Sequence, residues 1–346
     1  MKVLTQKGLV EKLHCAYGQR YAALPTQQRK DNRVNIVTAC KKLFKDAASA
    51  SLDLYKVMIP VIIVVKILQE LDMVQYLAVP LKPFMSIAGL PAEMGLVWAT
   101  SILVNLYSGL IVYISMVPTM DPLSVAQITT LATMMLIAHS LPIEGKVAQK
   151  CGVPMFGQLV MRMGAAFLAG ILLHLVFSNT GLFAEPSKVL WEPQLPEPGL
   201  LPWLQNETTN LIYLFFIILS LFTIMRVLAY LGITEKLNNL LKPLLEAIGI
   251  GKNAATITVI GLTMGITYGG GLIIHEVKSG TISRRDVFAS LSLMGLSHAL
   301  IEDTLLMMLL GAHMSGTLWT RLLFSLVFVG IMMRFYSTKP AQTAAD

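Results

Sequence analysis

The sequence predicts an all-α polytopic membrane protein made of two inverted-topology repeats. Each repeat has about three transmembrane helices plus a re-entrant hairpin and an amphipathic surface helix. Three observations predict this. First, the 346 residues are 55% hydrophobic and only 14% charged, with a mean hydropathy of +0.65, whereas soluble domains carry about 25% charged residues. Second, the chain matches itself at an offset of about 160 residues. Third, Lys and Arg crowd into alternate loops, and cytoplasmic loops are the ones that carry excess positive charge.

Residues 1–52 are a basic region expected in the cytoplasm. Ten Lys or Arg stand against Glu11, Asp31 and Asp46, without the basic start, apolar core and small-residue cleavage site of a signal peptide. Positions 34–50, "VNIVTACKKLFKDAASA", have the pattern of a basic amphipathic helix on a membrane surface; a solvated tail fits the same composition. The first repeat spans 54–178 and opens with a span near 54–74. The linker 179–208 holds four Glu and one Lys and is expected outside. The second repeat spans 209–336, and residues 337–346 form a cytoplasmic tail. Two runs of the roughly 20 apolar residues that a bilayer core requires are Val153 to Phe177 and Leu211 to Leu231.

Six ordered correspondences define the duplication. "LKP" at Leu81 to Pro83 recurs at Leu241 to Pro243, and Lys66 corresponds to Arg226. Gly89 and Gly249 each close the segment that follows "LKP". "NLYSGLIVY" (Asn105 to Tyr113) matches "GITYGGGLIIH" (Gly265 to His275) with one gap, and "AHSLPIE" (Ala138 to Glu144) matches "SHALIE" (Ser297 to Glu302). Arg162 matches Arg321. The loops at 144–152, 233–252 and 277–287 are basic, while those near Thr119 and Ala312 lack Lys and Arg. These sides agree only if each half crosses three times and segments 92–117 and 252–276 return to the side they came from. Both segments carry Gly and polar residues midway, and irregular backbone at membrane depth persists only against protein or a watery cavity; a Gly-kinked spanning helix is the alternative. Three crossings per half invert the second repeat. Inverted repeats with paired interrupted helices point to a secondary transporter with its site near the midplane. Residues 233–248 have the apolar spacing of a helix lying along the surface.

The doubled pattern of span, "LKP" segment, Gly-rich hairpin and "H-[SA]-L-…-I-E" helix resembles the Gate, or nucleoside-recognition, membrane family. That family includes spore-maturation membrane proteins, and related modules occur in concentrative nucleoside transporters and in the membrane part of ferrous-iron transporter B. The resemblance covers about residues 54–336. It implies a bacterial inner (plasma) membrane permease for a small polar solute, nucleoside-like or another small organic ion. The chain has no G-x-x-x-x-G-K-[ST] phosphate loop, so the GTPase part of the iron transporter is missing.

Ionisable residues inside spans are costly and mark function by default. His298 and Glu302 are four apart and share a helix face; His139 and Glu144 are their first-half equivalents, with Pro142 bending the chain between them. These pairs are expected to couple transport to a proton or other ion, the alternative being structural pairs that lock helices together. On this alignment Asp303 has no counterpart. Arg162 and Arg321 either neutralise the carboxylates across the repeat interface or, respectively, snorkel to an interface and sit near a membrane boundary. Asn105, Tyr107, Ser108 and Gly109 in one hairpin, and Thr267, Tyr268, Gly269 and Gly270 in the other, are the expected substrate contacts. Asn253 is expected to cap the second hairpin.

A permease is expected, not an enzyme. The competing readings are a membrane scaffold or accessory subunit that docks a partner through its basic N-terminus, and an intramembrane metal enzyme. For the latter, two His and two or three carboxylates are a thin ligand set, so no metal is expected. Cys15, Cys40 and Cys151 are scattered without zinc or disulfide spacing. No cofactor and no nucleic-acid partner are expected. The expected partners are the lipid bilayer and the solute, and a homo-oligomer is compatible with every reading.

Overall fold

Helices account for most of the chain that the computed structural model describes, which is residues 36–71, 73, 76, 79–190, 199–265, 272–274, 276–277 and 282–335. In order they are α1 (Ile36–Glu70), α2 (Lys82–Ile87), α3 (Met94–Leu103), α4 (Leu106–Met116), α5 (Val125–Ile137), α6 (Leu141–Lys150) and α7 (Met155–Thr180). Then come α8 (Leu200–Tyr230), α9 (Ile233–Ala247), α10 (Lys252–Met264), α11 (Arg284–Ser297), α12 (Leu300–Met308) and α13 (Arg321–Phe335). A π-turn, Ser315–Thr320, leads into α13. Among the described residues there is no β-strand, only one isolated bridge between Ser124 and Pro186.

Among the described residues, five segments are long and apolar enough to cross a membrane: Val125–Lys150, Met155–Thr180, Leu200–Tyr230, Arg284–Met308 and Ser315–Phe335. Of the first span expected, 54–74, residues 54–70 lie in α1, where Asp53, Lys56 and Lys66 interrupt the apolar run, and residues 72 and 74 lie outside the described residues. From residue 36 to residue 70 the expected amphipathic segment and that span run on as one continuous helix of 35 residues, with Pro60 inside it. Arg226 of α8 pairs with Asp46 at 2.7 Å, and the Tyr55 hydroxyl donates to the Leu211 carbonyl. These contacts hold α1 antiparallel to α8. Lys66 pairs with Glu70 and lies 5.9 Å from the Trp203 ring. Thus Lys66 and Arg226, matched in sequence, both sit in the contact zone of α1 with α8.

Burial separates centre from periphery. Val125–Lys150 and Arg284–Met308 are 72% and 67% buried over their most apolar windows, against 17% for Leu200–Tyr230. The two central segments are also the two that break. Helix α5 stops before Ala138 and α6 begins at Leu141; α11 stops before His298 and α12 begins at Leu300. Both breaks turn on one non-glycine residue in the left-handed region, Ser140 at φ 50° and Ala299 at φ 46°, a conformation disfavoured for residues with a Cβ. Pro142 sits in the first turn of α6, where its missing N–H costs no bond. Ile301 takes its place in the second half, so the break does not depend on proline.

Close approach of backbones needs small residues, because lipid leaves van der Waals packing as a main attraction between helices. A methyl group on Gly109 would lie 2.7 Å from Ser101 Cβ and 3.0 Å from the Val97 carbonyl oxygen, which is how α3 and α4 pack side by side. Gly316 meets α5 at Thr129 and Thr133 in the same way.

The loops sort by end. At one end, Val125 N–H donates to the Glu185 carbonyl, Ser187 N–H to Leu123 and Leu190 N–H to Leu309, and the Phe183 ring lies 4.3 Å from that of His313. The start of the linker, residues 183–190, and the loops poor in Lys and Arg are therefore together. At the other end, Ala148, Cys151 and Val153 pack on Ile273, Val287 and Leu291, and Gly251 N–H donates to Asp286 Oδ1 at 2.9 Å. Asp286, not Asn253, satisfies the start of α10; Asn253 lies inside that helix.

Candidate functional site: a histidine pair between two broken helices

Each break frees carbonyls, and each is met by a buried arginine from the following helix. In the first half, Arg162 Nε donates to the Ile137 carbonyl at 2.9 Å and Nη2 to the His139 carbonyl at 3.1 Å. In the second half, Arg321 Nε donates to Leu296 at 3.0 Å and Nη2 to His298 at 2.8 Å. Five-donor guanidinium forks suit this double role. Arg162 is 2% exposed and Arg321 fully buried, so neither side chain reaches out of the protein as snorkelling requires.

Every partner in this arrangement repeats at an offset of 159 residues: His139 with His298, Ser140 with Ala299, Arg162 with Arg321. The same offset places Glu144 opposite Asp303, which corrects the gapped match to Glu302. Arg162 Nη1 binds Glu144 Oε2 directly, whereas Arg321 Nη2 stands 3.8 Å from Asp303 Oδ2. Each arginine thus serves the carboxylate of its own half, not one across the interface. Arg321 Nη1 and Asp303 Oδ2 have no hydrogen-bond partner among the described residues.

The two halves meet at the histidines. His139 Nε2 and His298 Nε2 are 3.1 Å apart, with ring centroids at 4.9 Å. His139 Nδ1 lies 3.0 Å from the Met135 carbonyl and His298 Nδ1 2.8 Å from the Met294 carbonyl. A carbonyl only accepts, so both Nδ1 atoms carry a proton, and the two Nε2 atoms face each other at hydrogen-bonding distance. Glu144 Oε1 completes a triangle, 3.5 Å from His139 Nε2 and 3.3 Å from His298 Nε2. Three electron-pair donors this close require positive charge among them. His139, His298 and Asp303 also each offer a ligand atom within 4.8 Å of the others, so the group can hold a proton or a metal ion.

A protein of Bacillus subtilis (strain 168), the uncharacterized membrane protein YvoD, is 30% identical to this chain over 278 residues, 78% of this chain and 88% of that protein. The chain belongs to the YvoD family of membrane proteins. No family model and no solved structure matches it. Membership in this family carries the membrane character, while the site rests on the geometry above.

The other expected residues are distributed differently. Asn105 caps α4, its side-chain oxygen accepting from Ser108 N–H at 2.8 Å. Ser108 is fully buried, and Gly109 is a packing contact with α3. Tyr107 is hydrogen-bonded to Glu302, which joins the α3–α4 pair to the second-half broken helix. Ser140 N–H donates to the Ser101 carbonyl at 2.9 Å, so the α3–α4 turn lies beside the first break. Thr267, Tyr268, Gly269 and Gly270 lie outside the described residues. Asp303, missed from sequence, was available from an alignment without the gap at Pro142.

Proposed function

We propose that this chain is a Gate-type secondary transporter of the bacterial plasma membrane that moves a small polar solute and couples it to a cation. The observation that supports this reading most is the contact of His139 with His298. One residue from the broken helix of each half meets its equivalent at a buried centre, within a ring of two arginines and two carboxylates. Desolvating so many ionisable groups is expensive, and in a membrane it marks a pathway or a coupling site.

In this reading the two repeats are inverted. The α3–α4 pair is a re-entrant hairpin from the linker end, since the Gln127 side chain at the start of α5 reaches the Gly89 carbonyl ahead of α3. The α10 segment starts from the opposite end, beside Asp286. The acidic linker faces outside and the N-terminus the cytoplasm. Rocking of one half against the other opens the histidine contact, and an ion bound there binds one arrangement better than the other. Such differential affinity is what couples an ion to a conformational change. Tyr107 and Glu302 tie the hairpin to this joint.

Flux into proteoliposomes tests the proposal, with nucleosides, amino acids and small organic ions offered in parallel. Substrate-dependent uptake that disappears in His298→Ala and Glu302→Gln is expected. Sealed vesicles with no uptake of any of these solutes would sink it.

A further inference from the structure

We infer that His139, His298 and Glu144, with Asp303 as the fourth group, form a binding site for a divalent first-row transition-metal cation that bridges the two halves. This deepens the transport reading by naming the coupling cation, and its chemistry is tested separately below.

The geometry favours a metal over a shared proton. A proton bridges two acceptors, but three converge here. The triangle of His139 Nε2, His298 Nε2 and Glu144 Oε1 has edges of 3.1, 3.5 and 3.3 Å. Ligands at roughly 2.0–2.1 Å from a tetrahedral ion are about 3.3 Å apart, so the triangle has the dimensions of one face of a coordination tetrahedron. Asp303 has a carboxylate oxygen within 4.8 Å of both histidine ligand atoms, and its Oδ2 accepts no hydrogen bond among the described residues.

The surroundings are those of a ligand set. Both histidines give their remaining N–H to a backbone carbonyl, which fixes the tautomer and aims Nε2, the arrangement found around metal-bound imidazole. Glu144 is oriented through its other oxygen by Arg162. Two imidazoles with carboxylates suit zinc, cobalt, nickel or ferrous ions, whereas magnesium and calcium call for an all-oxygen set. Arg162 and Arg321 stand close by and oppose a dication, which moderates affinity, as a coupling ion that must also leave requires. Because one histidine comes from each half, the ion binds only when the halves are joined.

Cobalt(II) titration of the purified full-length chain tests this by the visible absorption of the ion, which is intense in tetrahedral sites and weak in octahedral ones. A saturable intense band at one ion per chain, displaced by zinc, is expected. His139→Ala and His298→Ala should each weaken binding by at least about tenfold, since even groups that only orient ligands cost that much. Thermal melting with and without zinc checks that the variants fold, and zinc should raise the melting temperature of the natural chain and not of the variants. No band in the natural chain, or a band that survives His298→Ala in a folded protein, overturns the inference. Uptake without a cobalt band would leave transport standing and remove the metal; a cobalt band without uptake of any solute would do the reverse.

Discussion

Glu144 and Asp303 hold equivalent places in the two halves, yet only Glu144 is seated directly on its arginine. The longer glutamate reaches Arg162 while also turning Oε1 to the histidine pair. The shorter aspartate stops 3.8 Å from Arg321. The duplicated frame is therefore symmetric in its backbone and asymmetric in its charge contacts, with the tighter pair in the first half.

This asymmetry sets the first prediction. Arg162→Ala leaves a buried carboxylate unpaired along with two freed carbonyls, a loss of about 3–5 kcal/mol by the usual cost of breaking a buried pair. Arg321→Ala removes two carbonyl contacts and a longer ion pair, and the loss should be smaller, about 1–3 kcal/mol. Thermal melting in detergent ranks them. A larger fall for Arg321→Ala would show that the arginines act mainly as caps for the broken helices. Glu144→Gln combined with Arg162→Met should recover part of the Arg162→Ala loss, because it removes the stranded charge.

Ala299 gives a second prediction through its backbone. Holding a residue with a Cβ in the left-handed region costs about 1–2 kcal/mol, and glycine there returns about 0.5–1 kcal/mol in added chain entropy. Ala299→Gly should therefore be neutral to slightly stabilising, whereas Ala299→Val should be clearly destabilising. If Ala299→Gly lowers the melting temperature by several degrees, the break is not built on that conformation.

Why some of this was legible from the residues and some was not follows from the same parts. The repeat of His139 at His298 and of Arg162 at Arg321 survives in sequence because identical side chains cap identical breaks. The positions of the breaks were harder to see, since Ser140 and Ala299 carry no local signature for positive φ, and Pro142 drew attention to a bend it does not cause. Asp303 was lost to a one-residue gap chosen to align two glutamates. The meeting of His139 with His298 depends on how two halves pack, which no spacing along one chain encodes. That same packing turns a ligand set that looked too thin for a metal into a convergent one. Asn105, Ser108 and Gly109 read in sequence as irregular and polar, and a cap and a tight helix crossing draw on those same residue types.

Tyr107 and Glu302 supply a third prediction. Their hydrogen bond is a contact between the α3–α4 pair and α12. Tyr107→Phe should lower solute uptake while leaving the melting temperature nearly unchanged, because an isolated hydrogen bond contributes only about 1 kcal/mol. Glu302→Gln should lower uptake too. If the two act through one contact, the double variant should be little worse than either single variant. Additive losses in the double variant would mean that Tyr107 and Glu302 serve uptake independently.

The arrangement of ends gives the last prediction. Glu185 and His313 are exposed at the end that gathers the acidic linker, and Lys150 and Arg285 are exposed at the basic end. In a chain with Cys15 and Cys40 replaced by Ser, single cysteines at positions 185 and 313 should react with an impermeant maleimide on intact cells. Cysteines at 150 and 285 should react only after permeabilisation. Cys151 can stay in place, because burial pushes its thiol up to about 12, and the reactive form is the thiolate. Its folded pKa lies above the ordinary 9.0, so burial of the neutral thiol is undisturbed below pH 9 and is opposed only as pH climbs toward 12. Cys151 should therefore remain silent at pH 8 and begin to label in strong alkali. Labelling of positions 185 and 150 from the same side would remove the inverted arrangement, since the two ends of α7 would then not lie across the bilayer from each other.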